Sequence, residues 1–243
     1  DRTASSQVIR KIVFDKDING LRDLLGTGVL RIDDDINSTA LMWCAGAGWK
    51  DGCQAILTLF PGEVKAVARD GSTALHFAVQ SGSSETVECI IKFEADINAQ
   101  EMNGISCLMI AAQRNDQVSV RLLCEAGADI FCTDKNGWNP LHFAVSPQIS
   151  GATESAARTM RELTGECAWA SLCRSTDNWG RTPLSLAAMS RDPVQISSVA
   201  ISAELWRHRD VFGNTPMQQA YAAGCIVTWA QYCKSYARHD SEE

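Results

Sequence analysis

The chain has 243 residues, of which 45% are hydrophobic and 21% are charged, a composition that excludes a disordered or fibrous protein. Its 22 basic and 29 acidic residues give a net charge of −7, which disfavours a protein that wraps nucleic acid or coats an anionic membrane. None of the ten cysteines forms a C-x-x-C pair, so zinc-knuckle and thioredoxin-type sites are excluded. Since a chain of this size can use cysteine as a small core residue, we expect free thiols in an intracellular protein.

The chain opens with two short amphipathic segments. Helical spacing of apolar residues marks the first at Val8, Ile9, Ile12 and Val13. The second contains Leu21, Leu24 and Leu25 and ends in Gly26-Thr27-Gly28. We therefore predict a helical hairpin at the N-terminus.

A four-residue motif related to Thr-Pro-Leu-His, called a motif line below, then occurs six times. The lines begin at Thr39, Thr73, Ser106, Asn139, Thr182 and Thr215. The steps between them are 34, 33, 33, 43 and 33 residues, a regularity that indicates a repeat protein.

Further positions repeat with each line. An acidic residue stands five positions before it at Asp34, Glu101, Asp134, Asp177 and Asp210. A glycine stands two positions before it at Gly71, Gly104, Gly137, Gly180 and Gly213, where a tight turn needs a positive φ; Asn37 takes that place in the first line. Threonine before proline or alanine is a helix N-cap, so each line predicts the start of a helix. A second helix follows, for example with the apolar stripe Val118, Leu122 and Leu123.

This pattern resembles the ankyrin repeat over nearly the whole chain. The resemblance implies an all-α solenoid, in which each unit is a β-turn followed by two antiparallel helices. It predicts one domain of seven units. These are an N-terminal cap at 1–33, five units at 34–67, 68–100, 101–133, 134–176 and 177–209, and a C-terminal unit at 210–243.

One unit departs from the period, because the step from Asn139 to Thr182 is ten residues longer than the usual 33. The surplus lies within 146–174. Insertions in repeat proteins often map to the binding face, but a longer helix or loop without a role is an equal alternative. A last helix is predicted over 225–238.

The sequence offers little for catalysis. It contains no G-x-x-x-x-G-K-[ST], H-E-x-x-H or G-x-S-x-G motif. His76 and His142 match the histidine of the ankyrin motif, which the resemblance implies is a turn-bracing residue. Cys44, Cys124 and Cys233 occupy positions that repeats fill with core residues. We therefore expect no enzyme, no catalytic residue, no cofactor and no metal site.

The turns and the ends of the first helices line the concave face that the resemblance implies. On that face, cationic and apolar residues stand where solvent-facing positions should be polar, a composition typical of binding hot spots. The predicted partner-binding residues are Arg69, Met102, Ile105, Arg114, Lys135, Trp138, Trp179, Arg181 and Phe212. They predict a protein or peptide partner with apolar anchors and acidic flanks.

Two alternatives to this site remain open. Trp138 and Trp179 could instead pack on each other or on the insertion and stabilise the stack. Some ankyrin domains resemble methyl-lysine readers with an aromatic cage, for which the suggestive residues are Trp43, Phe77, Trp138 and Phe143. The acid expected three residues after the cage aromatic is replaced by Gly46 or Ser146.

The leading function is a non-enzymatic protein–protein interaction module or scaffold. An alternative is the targeting or regulatory segment of a larger enzyme or channel, which a chain starting at Asp1 favours slightly; nucleotide binding is disfavoured by the net charge. The longest charge-free run, Val211–Cys233, carries too many polar residues to span a membrane. We expect a monomer in the cytoplasm or nucleus.

Overall fold

A computed structural model describes residues 2–27, 37–146, 156–190 and 193–225 of the chain. Within these residues the regular structure consists of fifteen α-helices, one 3₁₀ helix at Pro61–Lys65 and two isolated β-bridges. The α-helices are α1 (Arg2–Asp15), α2 (Ile18–Gly26), α3 (Ala40–Gly46), α4 (Lys50–Leu59), α5 (Ala74–Ser81), α6 (Ser84–Lys92), α7 (Cys107–Gln113), α8 (Gln117–Glu125), α9 (Pro140–Ala144), α10 (Ala156–Thr164), α11 (Glu166–Arg174), α12 (Pro183–Met189), α13 (Pro193–Val199), α14 (Ala203–Arg207) and α15 (Pro216–Ala222). The predicted all-α class is confirmed.

Each of the six motif lines begins a helix at its second residue, as predicted. The cause is local. The Thr39 side chain accepts a hydrogen bond from the backbone N–H of Met42 at 3.3 Å. Asn139 does the same for the N–H of His142 at 3.0 Å. These caps satisfy N–H groups that a helix cannot pair within itself, and α9, α12 and α15 add a proline at the first helical position.

The chain divides into two compact units. Unit 1 comprises Asp1–Cys107 and Glu125–Ala128, and unit 2 comprises Leu108–Cys124 and Asp129–Glu243. In unit 1 the predicted hairpin α1–α2 is present, α3 packs on α5, and α4 packs on α6. In unit 2 α12 packs on α15, and α10 packs on α13. First helices thus pack on first helices and second on second, as repeated turn–helix–helix units require.

The core follows the repeat. Leu75 and Ala78 of α5 and Leu184 and Ala187 of α12 are buried completely or almost completely. The predicted stripe of the second helix needs one correction. Val118 is 57% exposed, and the inward residues of α8 are Val120 and Leu123. Val118 lies two residues from Val120, and therefore about 200° around the helix from it.

The ten surplus residues are divided between two places. The second helix ends 19 residues after the motif residue in the preceding repeat, from Ser106 to Glu125, but 25 residues after it here, from Asn139 to Thr164. Six of the extra residues therefore lie before the end of α10, and the other four follow it in the segment that holds α11. Trp169 of α11 is fully buried, so this addition forms part of the core of unit 2. The predicted last helix lies outside the described residues, apart from Cys225.

Candidate functional site: the repeat turns

The acid that opens a turn organises its backbone. One carboxylate oxygen of Asp177 accepts the N–H groups of Trp179 and Arg181, both at 2.9 Å. Asp210 does the same for Phe212 at 2.9 Å and Asn214 at 2.8 Å. Each acid therefore fixes the residues two and four positions later, which are the residues that present side chains at the turn.

The predicted glycines have positive φ in every repeat in which they occur, and Asn37, which takes their place in the first motif, has φ 52°. At Gly137, both the backbone conformation and the space available require glycine. Its φ is 79°, and a Cβ there would lie 2.9 Å from the backbone nitrogen of Asn178 in the next turn. Any side chain would separate the two turns, so glycine allows their close approach.

Two histidines each form hydrogen bonds that connect one repeat to the next. The Nδ1 of His76 accepts the backbone N–H of Thr73 at 3.2 Å, which leaves Nε2 to donate to the carbonyl oxygen of Ile105 at 3.2 Å. His142 makes the same pair of contacts with Asn139 and Arg181, at 3.3 and 3.2 Å. Burial lowers the pKa of both rings, that of His142 to about 4, so they are neutral at pH 7. The predicted turn-bracing role is confirmed.

Three successive turns of unit 2 are joined edge to edge. The N–H of Asn178 donates to the carbonyl oxygen of Asn136 at 3.0 Å, and the N–H of Val211 donates to that of Trp179 at 2.9 Å. The residues after each opening acid are thereby held at fixed spacing along one edge.

A buried carboxylate couples two of these turns. The second oxygen of Asp177, whose side chain is fully buried, accepts the indole N–H of Trp138 at 3.0 Å. The same oxygen accepts Nε of Arg181 at 2.8 Å and lies 2.7 Å from its Nη2. The guanidinium carbon of Arg181 lies 4.8 Å from the ring centre of Trp179 and 5.9 Å from that of Trp138. We call Trp138, Asp177 and Arg181 the clamp.

Apolar side chains project beside the clamp. Trp179 is 38% exposed, Val211 63% and Phe212 73%. The backbone bond from Val211 to Trp179 makes them neighbours, and we call these three residues the turn-tip patch. Grouped apolar side chains that project into water are typical of a partner surface.

A family model described as ankyrin repeats (3 copies) matches residues 11–101 and 85–154, more than half of the chain. The chain belongs to the ankyrin-repeat family. Among curated proteins, none matches it. Ankyrin repeats bind protein partners and are typically non-catalytic, and the repeated helix pairs described above are those of an all-α ankyrin solenoid.

The predicted partner-binding residues of the ankyrin turns fall in both units. In unit 1 Arg69 is exposed, Met102 is 59% exposed, and Ile105 is half-buried with its carbonyl held by His76. The N–H of Met102 donates to the carbonyl oxygen of Asp70 at 2.7 Å, so these ankyrin turns too are joined edge to edge.

In unit 2 the structure brings Trp138, Trp179 and Arg181 together and exposes Arg114 and Lys135. The charge of Arg181 does not face solvent alone, because it is paired with Asp177. Trp138 lies edge-on to Phe143, with ring centres 5.4 Å apart, and its N–H is used by Asp177. The clamp therefore supports the turn-tip patch. Sequence reasoning missed Asp177 as its centre, although the regular acid at that position is a signal for it.

Other chemistry of the ankyrin chain is limited within the described residues. They contain no group of three or more His, Cys, Asp or Glu residues arranged to hold a metal ion, and none of their helices has the length and hydropathy needed to cross a bilayer. The nine described cysteines are free, and burial raises the pKa of the Cys44 and Cys173 thiols to about 12. These two thiols stay protonated at pH 7 and are poor nucleophiles.

Proposed function

We propose that the chain is a non-enzymatic protein–protein interaction module that binds a peptide segment of its partner on the concave turn and helix face. The observation that carries the proposal is the turn-tip patch. Trp179, Val211 and Phe212 project from turns whose backbones are already hydrogen-bonded. Because these backbones are already fixed, the chain loses little backbone entropy when a partner covers the patch.

The exposed cations of unit 2 favour a partner with acidic residues. Arg114 and Lys135 of unit 2 are exposed, and neither takes part in an ion pair among the described residues. Acidic residues beside the apolar anchors of a partner would speed association with this face and select its orientation. In unit 1, the turn residues Met102 and Arg69 are also exposed.

The proposal is tested by selecting short random peptides on the folded chain and measuring their affinities by fluorescence anisotropy. A class of the selected peptides should lose about tenfold or more in affinity for a Trp179→Ala/Phe212→Ala variant, because aromatic anchors dominate binding energy. Tyr221→Ala is the matched control, since Tyr221 is 90% exposed in unit 2 but lies outside the patch. Equal affinity for all three chains would refute the proposal.

Charge is tested separately with Arg114→Glu and Lys135→Glu. Both should weaken peptides that carry Asp or Glu, and the loss should shrink as salt is added. Arg181→Glu is not a suitable test of charge, because it would place a second carboxylate against the buried Asp177 and damage the turn itself.

A further inference from the structure

Unit 1 contains a cavity that none of the predicted partner-binding residues lines. It lies between α1, α3 and α5 and has a volume of about 670 Å³. Its apolar lining comes from Val13 and Phe14 of α1, Met42 and Trp43 of α3, and Phe77 of α5. We call it the α1 pocket.

The pocket exists because α3 ends in small residues. Gly46 and Ala47 face it where larger side chains would fill the space between Trp43 and Phe77. A Cβ on Gly46 would lie 3.7 Å from the Phe77 ring, which is ordinary contact, so no steric conflict keeps this position small. The volume is within the usual range of ligand sites in proteins, about 300–1,000 Å³.

Phe14 indicates that the occupant is larger than a small molecule enclosed by the cavity. Its side chain is 88% exposed, whereas Val13 beside it is buried. A ligand confined to the pocket would leave most of the Phe14 ring in water. Covering the ring needs a chain that enters the pocket and continues along α1, which favours a polypeptide.

The charged groups at the pocket are both cationic. The guanidinium carbon of Arg10 lies 4.8 Å from the ring centre of Trp43, and Lys11 follows it on α1. Arg10 and Phe14 are four residues apart and therefore share one face of the helix. No carboxylate is among the described residues that line the pocket. In a chain with a net charge of −7, this is a local basic rim on an apolar site.

The basic rim argues against the aromatic-cage hypothesis for Trp43 and Phe77. A cage for methyl-lysine offers open aromatic faces and an acid to a cation. Here Arg10 already lies over Trp43, and Lys11 would repel a cationic ligand. The same aromatic residues suit an apolar group next to a negative charge.

We propose that the α1 pocket binds a peptide segment that inserts bulky apolar side chains between Trp43 and Phe77 and places an Asp or Glu against Arg10 and Lys11. This inference rests on the proposed function, since it assumes that the chain binds peptides. It assigns a second site in unit 1, distinct from the turn-tip patch of unit 2.

The test uses the same peptide selection on the full chain, with variants that change the pocket in two independent ways. Arg10→Glu/Lys11→Glu reverses the rim on exposed side chains of α1. Gly46→Leu fills the cavity from an exposed position at the end of α3. Arg22→Glu is the control, an exposed cation on α2 that does not line the pocket. Circular dichroism and urea midpoints verify that every variant is folded.

We expect a class of selected peptides that pair a bulky apolar residue with a nearby acid. Their affinity should fall by about tenfold for both pocket variants and stay unchanged for Arg22→Glu and for Trp179→Ala/Phe212→Ala. If every selected peptide keeps its affinity for the pocket variants but loses it for Trp179→Ala/Phe212→Ala, the pocket assignment is wrong and the proposed function stands. If the wild-type chain selects no peptides, both are overturned.

Discussion

Asp177→Asn is the substitution that should most clearly show how much stability the clamp adds beyond that of an ordinary turn. The asparagine oxygen can still accept the N–H groups of Trp179 and Arg181. Its amide nitrogen, however, would face the indole N–H of Trp138 and the guanidinium of Arg181, which are donors. The change therefore removes a negative charge and puts donors opposite donors without altering the shape of the side chain.

The magnitude follows from the burial of the pair. Removing one partner of a fully buried ion pair costs about 3–5 kcal/mol. The Asp177 side chain is fully buried but that of Arg181 is 24% exposed, so water can partly solvate the cation. We therefore expect a loss of about 3 kcal/mol in the free energy of unfolding of the affected repeats, at the lower end of that range.

Asp210→Asn is the matched control. Asp210 opens the next turn with the same two backbone bonds, but its second oxygen accepts a neutral donor, Nε2 of Gln219, at 2.6 Å. A rotated Gln219 amide can present its oxygen instead, so the loss should be about 1 kcal/mol.

Urea denaturation followed by tryptophan fluorescence is the assay, because Trp138 and Trp179, two of the seven tryptophans, lie at the clamp and contribute to the change in signal when it opens. Repeat proteins can unfold in parts, so circular dichroism is recorded in parallel to separate local from global loss. Equal destabilisation of the two variants, within about 0.5 kcal/mol, would refute the view that the clamp adds stability beyond the turn itself.

Three further predictions concern pH, backbone and thiols. Because burial lowers the pKa of His142 to about 4, the unfolded chain takes up this proton between about pH 6.5 and 4 while the folded chain does not; stability should fall by about 3 kcal/mol across that window, and a urea midpoint that is constant with pH would contradict this. Gly137→Ala should cost about 1–3 kcal/mol because of its φ of 79° and the nearby backbone, whereas Gly26→Ala, with open space around it, should stay within about 0.5 kcal/mol in the same denaturation series. Cys167 is exposed and should react with a maleimide in the native chain long before the buried Cys44, as peptide mass spectrometry can follow; equal rates would mean that the packing around Cys44 opens readily.

The repeat was predictable because its determinants are local. Thr39 caps α3 through a residue three positions away, and Gly137 turns the chain within its own unit. Interactions of this range appear directly in the sequence as a period. The histidine contact was predictable for a related reason, since His142 and the carbonyl it reaches occupy equivalent places in successive units.

The charge of Arg181 was harder to judge from the sequence. As a residue of the predicted binding face, it was expected to offer its charge to a partner. The structure shows it paired with Asp177 four positions earlier, while the oxygen that binds it also accepts the N–H of Trp138, 39 residues away from Asp177. Spacing alone could not show that one buried oxygen serves both side chains.

The α1 pocket could not be predicted from the sequence, because it depends on packing between elements that share no repeat motif. Phe14 belongs to the N-terminal hairpin, which lacks the repeat motif. It lines the same pocket as Trp43 and Phe77 because of the way α1 packs on α3. The equivalence of Trp43 and Phe77 was visible as a pattern. The nature of the site they form was not, because Arg10 and Lys11 set its charge from another element.

Photo-crosslinking from the turn-tip patch tests the central claim most directly. The chain is prepared with p-benzoylphenylalanine in place of Phe212 or, as a control, of Tyr221, which is also highly exposed in unit 2. The selected peptides that lose affinity for the Trp179→Ala/Phe212→Ala variant are bound and irradiated. We predict that peptides crosslink from position 212 and not from position 221. Crosslinking from position 221, or from neither position while the peptides remain bound, would contradict the account.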